Sequence, residues 1–135
     1  MLFDKHIVRF VLIASVICAF NGTAAYSQNA AENSPDSANF SGVADYYSDY
    51  YHGKRTASGQ VHDMHKLTAA HRTLRFGTRV KLVNRRNKKS CVVTINDRGP
   101  FTKNRVIDVS KEAASQLGLF SGNRIIDAYI LPDEE

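Results

Sequence analysis

Between residues 78 and 131 apolar and polar side chains alternate in short runs, with a period near two rather than the longer period of a helix. In residues 78–83, Val80 and Leu82 fall on one face and Arg79 and Lys81 on the other, the pattern of a half-buried strand. Residues 84–89 are polar, and 90–95 return as a second β-rich run. Together they predict a hairpin with a basic tip. Residues 106–109 and 125–131 predict further short strands, and 42–47 one more. A single helix is signalled by Ser110 as its cap, Glu112 in its first turn, Ala113, Ala114 and Leu117 on its apolar side, and Gly118 as its stop. Residues 67–71 predict one additional helical turn. Many short strands around one small helix predict a mainly β, compact barrel with one or two short helices, since closure removes exposed sheet edges.

The first 25 residues follow a different pattern. Lys5 and Arg9 precede an apolar stretch from 10 to 20, and small residues follow at Thr23, Ala24 and Ala25. That stretch is shorter than the roughly 20 apolar residues of a spanning helix, so residues 1–25 predict a secretory signal cleaved near Ala25. Two alternatives are an uncleaved membrane anchor and a lipid-bearing Cys18. Bulky Ile17 immediately before Cys18 argues against lipidation. Residues 26–40 are polar without a hydrophobic period and predict a disordered linker. The folded domain is then expected over 41–132, with an acidic tail at 133–135. A chain of 135 residues holds about one domain. After cleavage Cys91 has no intramolecular partner, and its apolar neighbours Val92 and Val93 make it a small buried hydrophobe.

From Ser41 onward sixteen Lys or Arg stand against ten Asp or Glu. This excess suits an anionic polymer. With a secretory leader, an acidic envelope glycan fits better than nucleic acid, and the protein is expected in the periplasm or cell envelope as a monomer. His62, Asp63 and His65, even with His52 and His71 nearby, lack the helical His-Glu-x-x-His frame and a supporting cysteine pair. No metal site and no cofactor is expected.

The densest chemical signal is the run from Thr94 to Phe101. It sets Asp97 at the end of an apolar strand, followed by Gly99, which permits an unusual turn, and Pro100, which fixes φ and cannot continue a ladder. An ordinary turn aspartate would look similar, because these residues favour turns on conformational grounds alone. Its company gives it more weight. Arg98 and Arg105 can clamp an anion or hold the loop, and Phe101 can offer an apolar platform to a sugar face. His71, and the small polar loop of Thr56, Ala57, Ser58 and Gly59, lie on two other segments. The three loops centred on Gly59, His71 and Asp97 are expected to converge at one rim of the barrel.

These residues carry a resemblance. The series Tyr46, Tyr47, Tyr51, His52, Gly53, Lys54, Arg55, Thr56, Ala57, Ser58 and Gly59 is followed by 67–74, by Phe76, Gly77 and Thr78, and by 95–101. This order resembles the rare lipoprotein A (RlpA-like) family, over roughly residues 42–131. The resemblance implies a six-stranded double-psi β-barrel. It also implies a septal lytic transglycosylase that cleaves peptide-stripped peptidoglycan strands between N-acetylmuramic acid and N-acetylglucosamine. Carried over position by position, it implies catalytic roles for Asp97 and His71. Glycan binding is expected from Gln60, Ser58, Gly59, Arg98, Phe101 and Tyr47.

Gln60 departs from the pattern, since many members have glutamate there, and glutamine cannot exchange a proton near neutral pH. A two-carboxylate hydrolase would need a second acid at that place. A lytic transglycosylase needs only one group, which protonates the glycosidic oxygen and then takes the proton of the muramyl C6 hydroxyl. That role falls to Asp97, with His71 orienting it or hydrogen-bonding the sugar. The other reading is a non-catalytic glycan-binding or expansin-like wall-loosening module, which Gln60 favours.

Overall fold

The computed structural model describes residues 37–134. The signal segment, Cys18 and the linker up to residue 36 lie outside the described residues. Six strands close into a barrel: β1 (Phe40–Tyr46), β2 (Thr68–Ala70), β3 (Arg79–Asn84), β4 (Ser90–Asp97), β5 (Arg105–Val109) and β6 (Ile125–Ile130). Around the barrel the order is β1, β5, β2, β4, β3, β6. The β1/β5 and β2/β4 pairs are parallel and the other neighbours antiparallel. This is the double-psi β-barrel. A 3-10 turn (Asp49–Tyr51) and one helix, α1 (Lys111–Leu117), complete the elements.

Alternation along the strands builds the core. Val80 and Leu82 from β3, Val93 and Ile95 from β4, and Ile107 and Val109 from β5 all point inward and are fully buried. Each such side chain contributes roughly 1.5–3 kcal/mol by leaving water. α1 closes one side with Ala113, Ala114 and Leu117. Its ends follow the sequence signals: the Ser110 side chain accepts from the Ala113 amide, and Gly118 takes the left-handed conformation at φ 67°. Cys91 packs in this core, where burial pushes its thiol up to about 11.

One expectation is corrected. Residues 67–71 form no helical turn, because Thr68–Ala70 is strand β2, wedged between β4 and β5 with Ala69 and Ala70 buried. Alanine favours helices, but here the hydrogen bonds of two neighbouring strands and a crowded barrel interior decide. Asn39 donates its amide to Ala128, and β1 starts at Phe40. Near the C-terminal end of the described residues Asp133 pairs with Arg75 and Glu134 with Arg79.

The parallel β2/β4 pair determines where the chemistry sits. Both strands end at the same rim, and a register shift after Ala69 brings Ala70 opposite Asp97. On its other side Ala70 lies opposite Asp108 of β5. The hairpin turn between β3 and β4 lies at the opposite end of the barrel.

Candidate active site

Asp97 is the last residue of β4, and its carboxylate accepts three hydrogen bonds. The amides of Ala57 and Arg98 both donate to Oδ1, each at 2.8 Å, and the Tyr47 hydroxyl donates to Oδ2 at 2.7 Å. Each donor comes from a different structural cause. The Arg98 amide is the next residue in the chain. Ala57 belongs to a tight turn in which Thr56 and Gly59 bond across to Gln60 and Thr56, with Gly59 at φ 87°. Tyr47 extends from the end of β1. Burial, and then the bond to Asp97, push the Tyr47 phenol far above its ordinary range, so it remains a proton donor.

An open cleft of about 530 Å³ lies in front of this carboxylate. Tyr51, Arg55 and Phe101 line it, and Phe101 is 86% exposed, a flat apolar face available to a ligand. Behind the carboxylate, the Tyr47 ring is held between Tyr51 and His62, at 5.6 Å and 4.5 Å between centroids. His62 is 3% exposed, and neither ring nitrogen has a hydrogen-bond partner. Burial lowers its pKa, and nearby His52 lowers it further. On the far wall Arg105 bonds Asp45 and Thr102 and pairs with Asp108 at 3.4 Å. Burial raises the pKa of Asp108, which Arg105 partly offsets.

The predicted site residues divide into two groups. Asp97, Tyr47, Arg98 and Phe101 line the cleft. Ser58, Gly59, Gln60 and His71 build its support. The His71 imidazole does not bond the Asp97 carboxylate: its Nδ1 accepts from the amides of Thr73 and Leu74, while its own amide donates to the Asp97 carbonyl. Burial, and then the Arg98 and Arg72 charges, lower its pKa, so the neutral ring suits this acceptor role. Gln60 Oε1 accepts from the Asn96 amide at 3.2 Å, and the Ser58 amide donates to the Asn96 carbonyl. The loop is thereby fastened to β4 beside Asp97.

Arg98 lines the cleft and also bonds the neighbouring loop. Its Nη1 donates to the carbonyls of Leu74 and His71, at 2.8 and 3.2 Å, and its guanidinium lies 3.9 Å over the Phe76 ring. It holds the His71 loop against the Asp97 corner. The sequence had marked His62 only as an unsupported metal ligand; its position under Tyr47 depends on a contact fifteen residues apart that no local pattern encodes. Among the described residues no group of three or more His, Cys, Asp or Glu is arranged to hold a metal ion.

Residues 39–128 match the family model described as lytic transglycolase. The chain belongs to the lytic transglycolase family. A probable endolytic peptidoglycan transglycosylase RlpA of Synechocystis is 55% identical over 89 residues, covering 64% of this chain and 28% of that protein. The endolytic peptidoglycan transglycosylase RlpA of Campylobacter jejuni is 45% identical over 80 residues, covering 59% of this chain and 29% of that protein. The chain thus spans well under half the length of these relatives. Among solved structures, the Streptomyces papain inhibitor superposes with a TM-score of 0.48 at 18% identity, covering 67% of this chain and 96% of its own. Within the lytic transglycolase barrel of this protein, the matched segment contains every residue of the Asp97 cleft.

Proposed function

We propose that this protein is a lytic transglycosylase that cleaves peptidoglycan glycan strands in the cell envelope, with Asp97 as its acid/base residue. The observation that carries this reading is the Tyr47–Asp97 pair at the mouth of an open cleft, with an exposed aromatic platform beside it. Family membership and relatives named endolytic peptidoglycan transglycosylase support the substrate class.

The hydrogen bonds support Oδ2 as the working oxygen. Backbone amides can only donate, so Oδ1, facing Ala57 and Arg98, stays an acceptor throughout. A proton carried by Asp97 therefore sits on Oδ2. The Tyr47 hydroxyl can donate to Oδ2 when the carboxylate is charged and accept from it when it is protonated, so one contact serves both states. In the first half of the reaction Oδ2–H protonates the oxygen between muramic acid and glucosamine as the C1–O bond breaks. In the second half the muramyl C6 oxygen bonds to C1 and its proton returns to Oδ2. The strand ends in a 1,6-anhydromuramyl residue, and Asp97 is again protonated. We assign strand positioning to Phe101 and support of the site to His71, Gln60, Ser58 and Gly59.

A second reading, a glycan-binding module without cleavage, is favoured by Gln60, which cannot exchange a proton. Incubating the protein with peptide-free strands and analysing the products by mass spectrometry separates the two. The lytic reading expects anhydromuramyl ends that disappear in Asp97→Asn. Strands bound equally by both proteins but left intact would establish the binding module instead.

A further inference from the structure

The rim opposite Asp97 has its own chemistry. β4 runs from Ser90 at that rim to Asp97 at the other, eight residues, and at about 3.3 Å each the two rims stand roughly 25 Å apart. The far rim is made by the β3–β4 turn and the segment linking α1 to β6. The turn carries Arg85, Arg86, Lys88 and Lys89, all exposed. Arg85 pairs with Asp127, whereas Arg86, Lys88 and Lys89 have no carboxylate partner among the described residues.

Between the turn and the linking segment lies an open cleft of about 370 Å³, lined by Asn84, Arg86, Asn87, Lys89, Gly122 and Asn123 among others. No carboxylate lines it. Its side-chain amide oxygens are already used: Asn84 Oδ1 accepts from the Arg86 amide at 3.0 Å, Asn87 Oδ1 from Lys89 at 2.8 Å, and Asn123 Oδ1 from Ile125 at 2.8 Å. The Asn84 and Asn87 amide nitrogens are spent on the Leu117 carbonyl. What remains for a ligand is the Arg86 guanidinium, the Lys89 ammonium and the Asn123 amide nitrogen, all donors, together with the Ser121 hydroxyl, which can donate or accept. The Arg86 guanidinium also lies where a side chain at position 122 would go, and Gly122 leaves that place open.

We propose that this cleft binds carboxylates, namely the lactyl carboxylates that a peptide-free glycan strand exposes on its muramyl residues. The barrel then grips the polymer at a second place while the Asp97 cleft works. Selection for an oxyanion follows from a lining with two cations and no carboxylate; the choice of a muramyl carboxylate rests on the substrate class proposed above. Exposed cation–carboxylate contacts are individually weak. Arg86 and Lys89 in the cleft and Lys88 on the same turn, without a carboxylate partner among the described residues, suit a ligand that repeats its charge, for which several weak contacts combine into useful retention.

The test is an amide-resolved NMR titration of the purified protein with N-acetylmuramic acid, N-acetylglucosamine and inorganic phosphate. The proposal expects N-acetylmuramic acid to shift the amides of Arg86, Lys89 and Gly122, and N-acetylglucosamine, which lacks the lactyl group, to leave them in place. The double variant Arg86→Ala/Lys89→Ala should abolish these shifts and weaken retention on peptide-free strands about tenfold. Lys66→Ala/Lys81→Ala, which removes the same charge elsewhere, should retain both within about twofold. No shift at these amides, equal shifts with the neutral sugar, a response to phosphate only, or equal losses in both double variants would each overturn it. Because the readout is binding at the far rim, its failure leaves the cleavage assay unaffected, and a failed cleavage assay leaves the titration interpretable.

Discussion

Replacing Tyr47 by phenylalanine removes one oxygen from the site and leaves almost everything else in place. The ring keeps its packing against Tyr51 and His62. Asp97 loses the 2.7 Å bond to Oδ2 and retains both amide bonds to Oδ1. A hydrogen bond to a charged group is worth about 1.5–3 kcal/mol net, and the open cleft lets water replace part of it, which puts the loss near the lower end. At about 1.4 kcal/mol per tenfold in rate, Tyr47→Phe should release anhydromuramyl ends roughly 10- to 30-fold more slowly. The fall should appear in kcat, with KM little changed, because the phenol acts on the reacting carboxylate. Thermal unfolding should move by no more than a few degrees. The assay is the initial rate of anhydromuramyl product on peptide-free strands, measured by mass spectrometry beside a melting curve. A variant within twofold of wild type would refute the assignment of Oδ2 as the proton-carrying oxygen.

Other predictions concern the support of the site. Arg98→Lys loses the forked donation to Leu74 and His71 and the face of Phe76. It should cost about 1–2 kcal/mol, seen as a melting point lower by roughly 4–15 °C; an unchanged melting point would show that the clamp is idle. Gly59→Ala meets no atom within 4 Å, so its cost comes from the φ of 87° alone, about 1 kcal/mol. Lower activity should accompany it as the Ala57 amide withdraws from Asp97, and full activity would contradict that link. For His62 and His71 the folded state lowers the pKa, so below the ordinary value of 6.5 the unfolded chain binds protons that the folded chain does not. Stability should be complete above that value and fall on acidification, by at most about 1.4 kcal/mol per pH unit for each histidine. Urea midpoints between about pH 7 and pH 5 test this, and a flat profile would contradict it.

Much of the barrel could be read from alternation, because Val80, Leu82, Val93 and Ile95 occupy every second position on strands long enough to show a period. The α1 helix was legible for a similar reason, with cap and stop residues acting on their nearest neighbours. β2 was not, since three residues cannot display a period and two of them are alanines whose local preference is helical. At the site, the corner after Asp97 was local and therefore visible. A meeting of the Gly59 loop with Asp97 was expected, but the individual bonds were not legible: Tyr47 is fifty residues away and Ala57 forty, and only barrel closure brings them together. Arg98 and Gln60 illustrate a different limit. Residue type suggested an anion contact or a loop-holding role for Arg98, and the family resemblance a ligand contact for Gln60; in the structure main-chain carbonyls engage Arg98 Nη1 and the Asn96 side-chain amide engages Gln60 Oε1. Whether such a group faces a ligand or its own chain depends on tertiary neighbours.

The most direct test of the central claim is the product itself. Purified wild-type protein and Asp97→Asn should be incubated with the same peptide-free glycan strands and the new ends identified by mass spectrometry. The account predicts internal cleavage with 1,6-anhydromuramyl ends from wild type, and intact strands from Asp97→Asn even though it still binds them. Reducing ends in place of anhydro ends, or equal cleavage by both proteins, would contradict it.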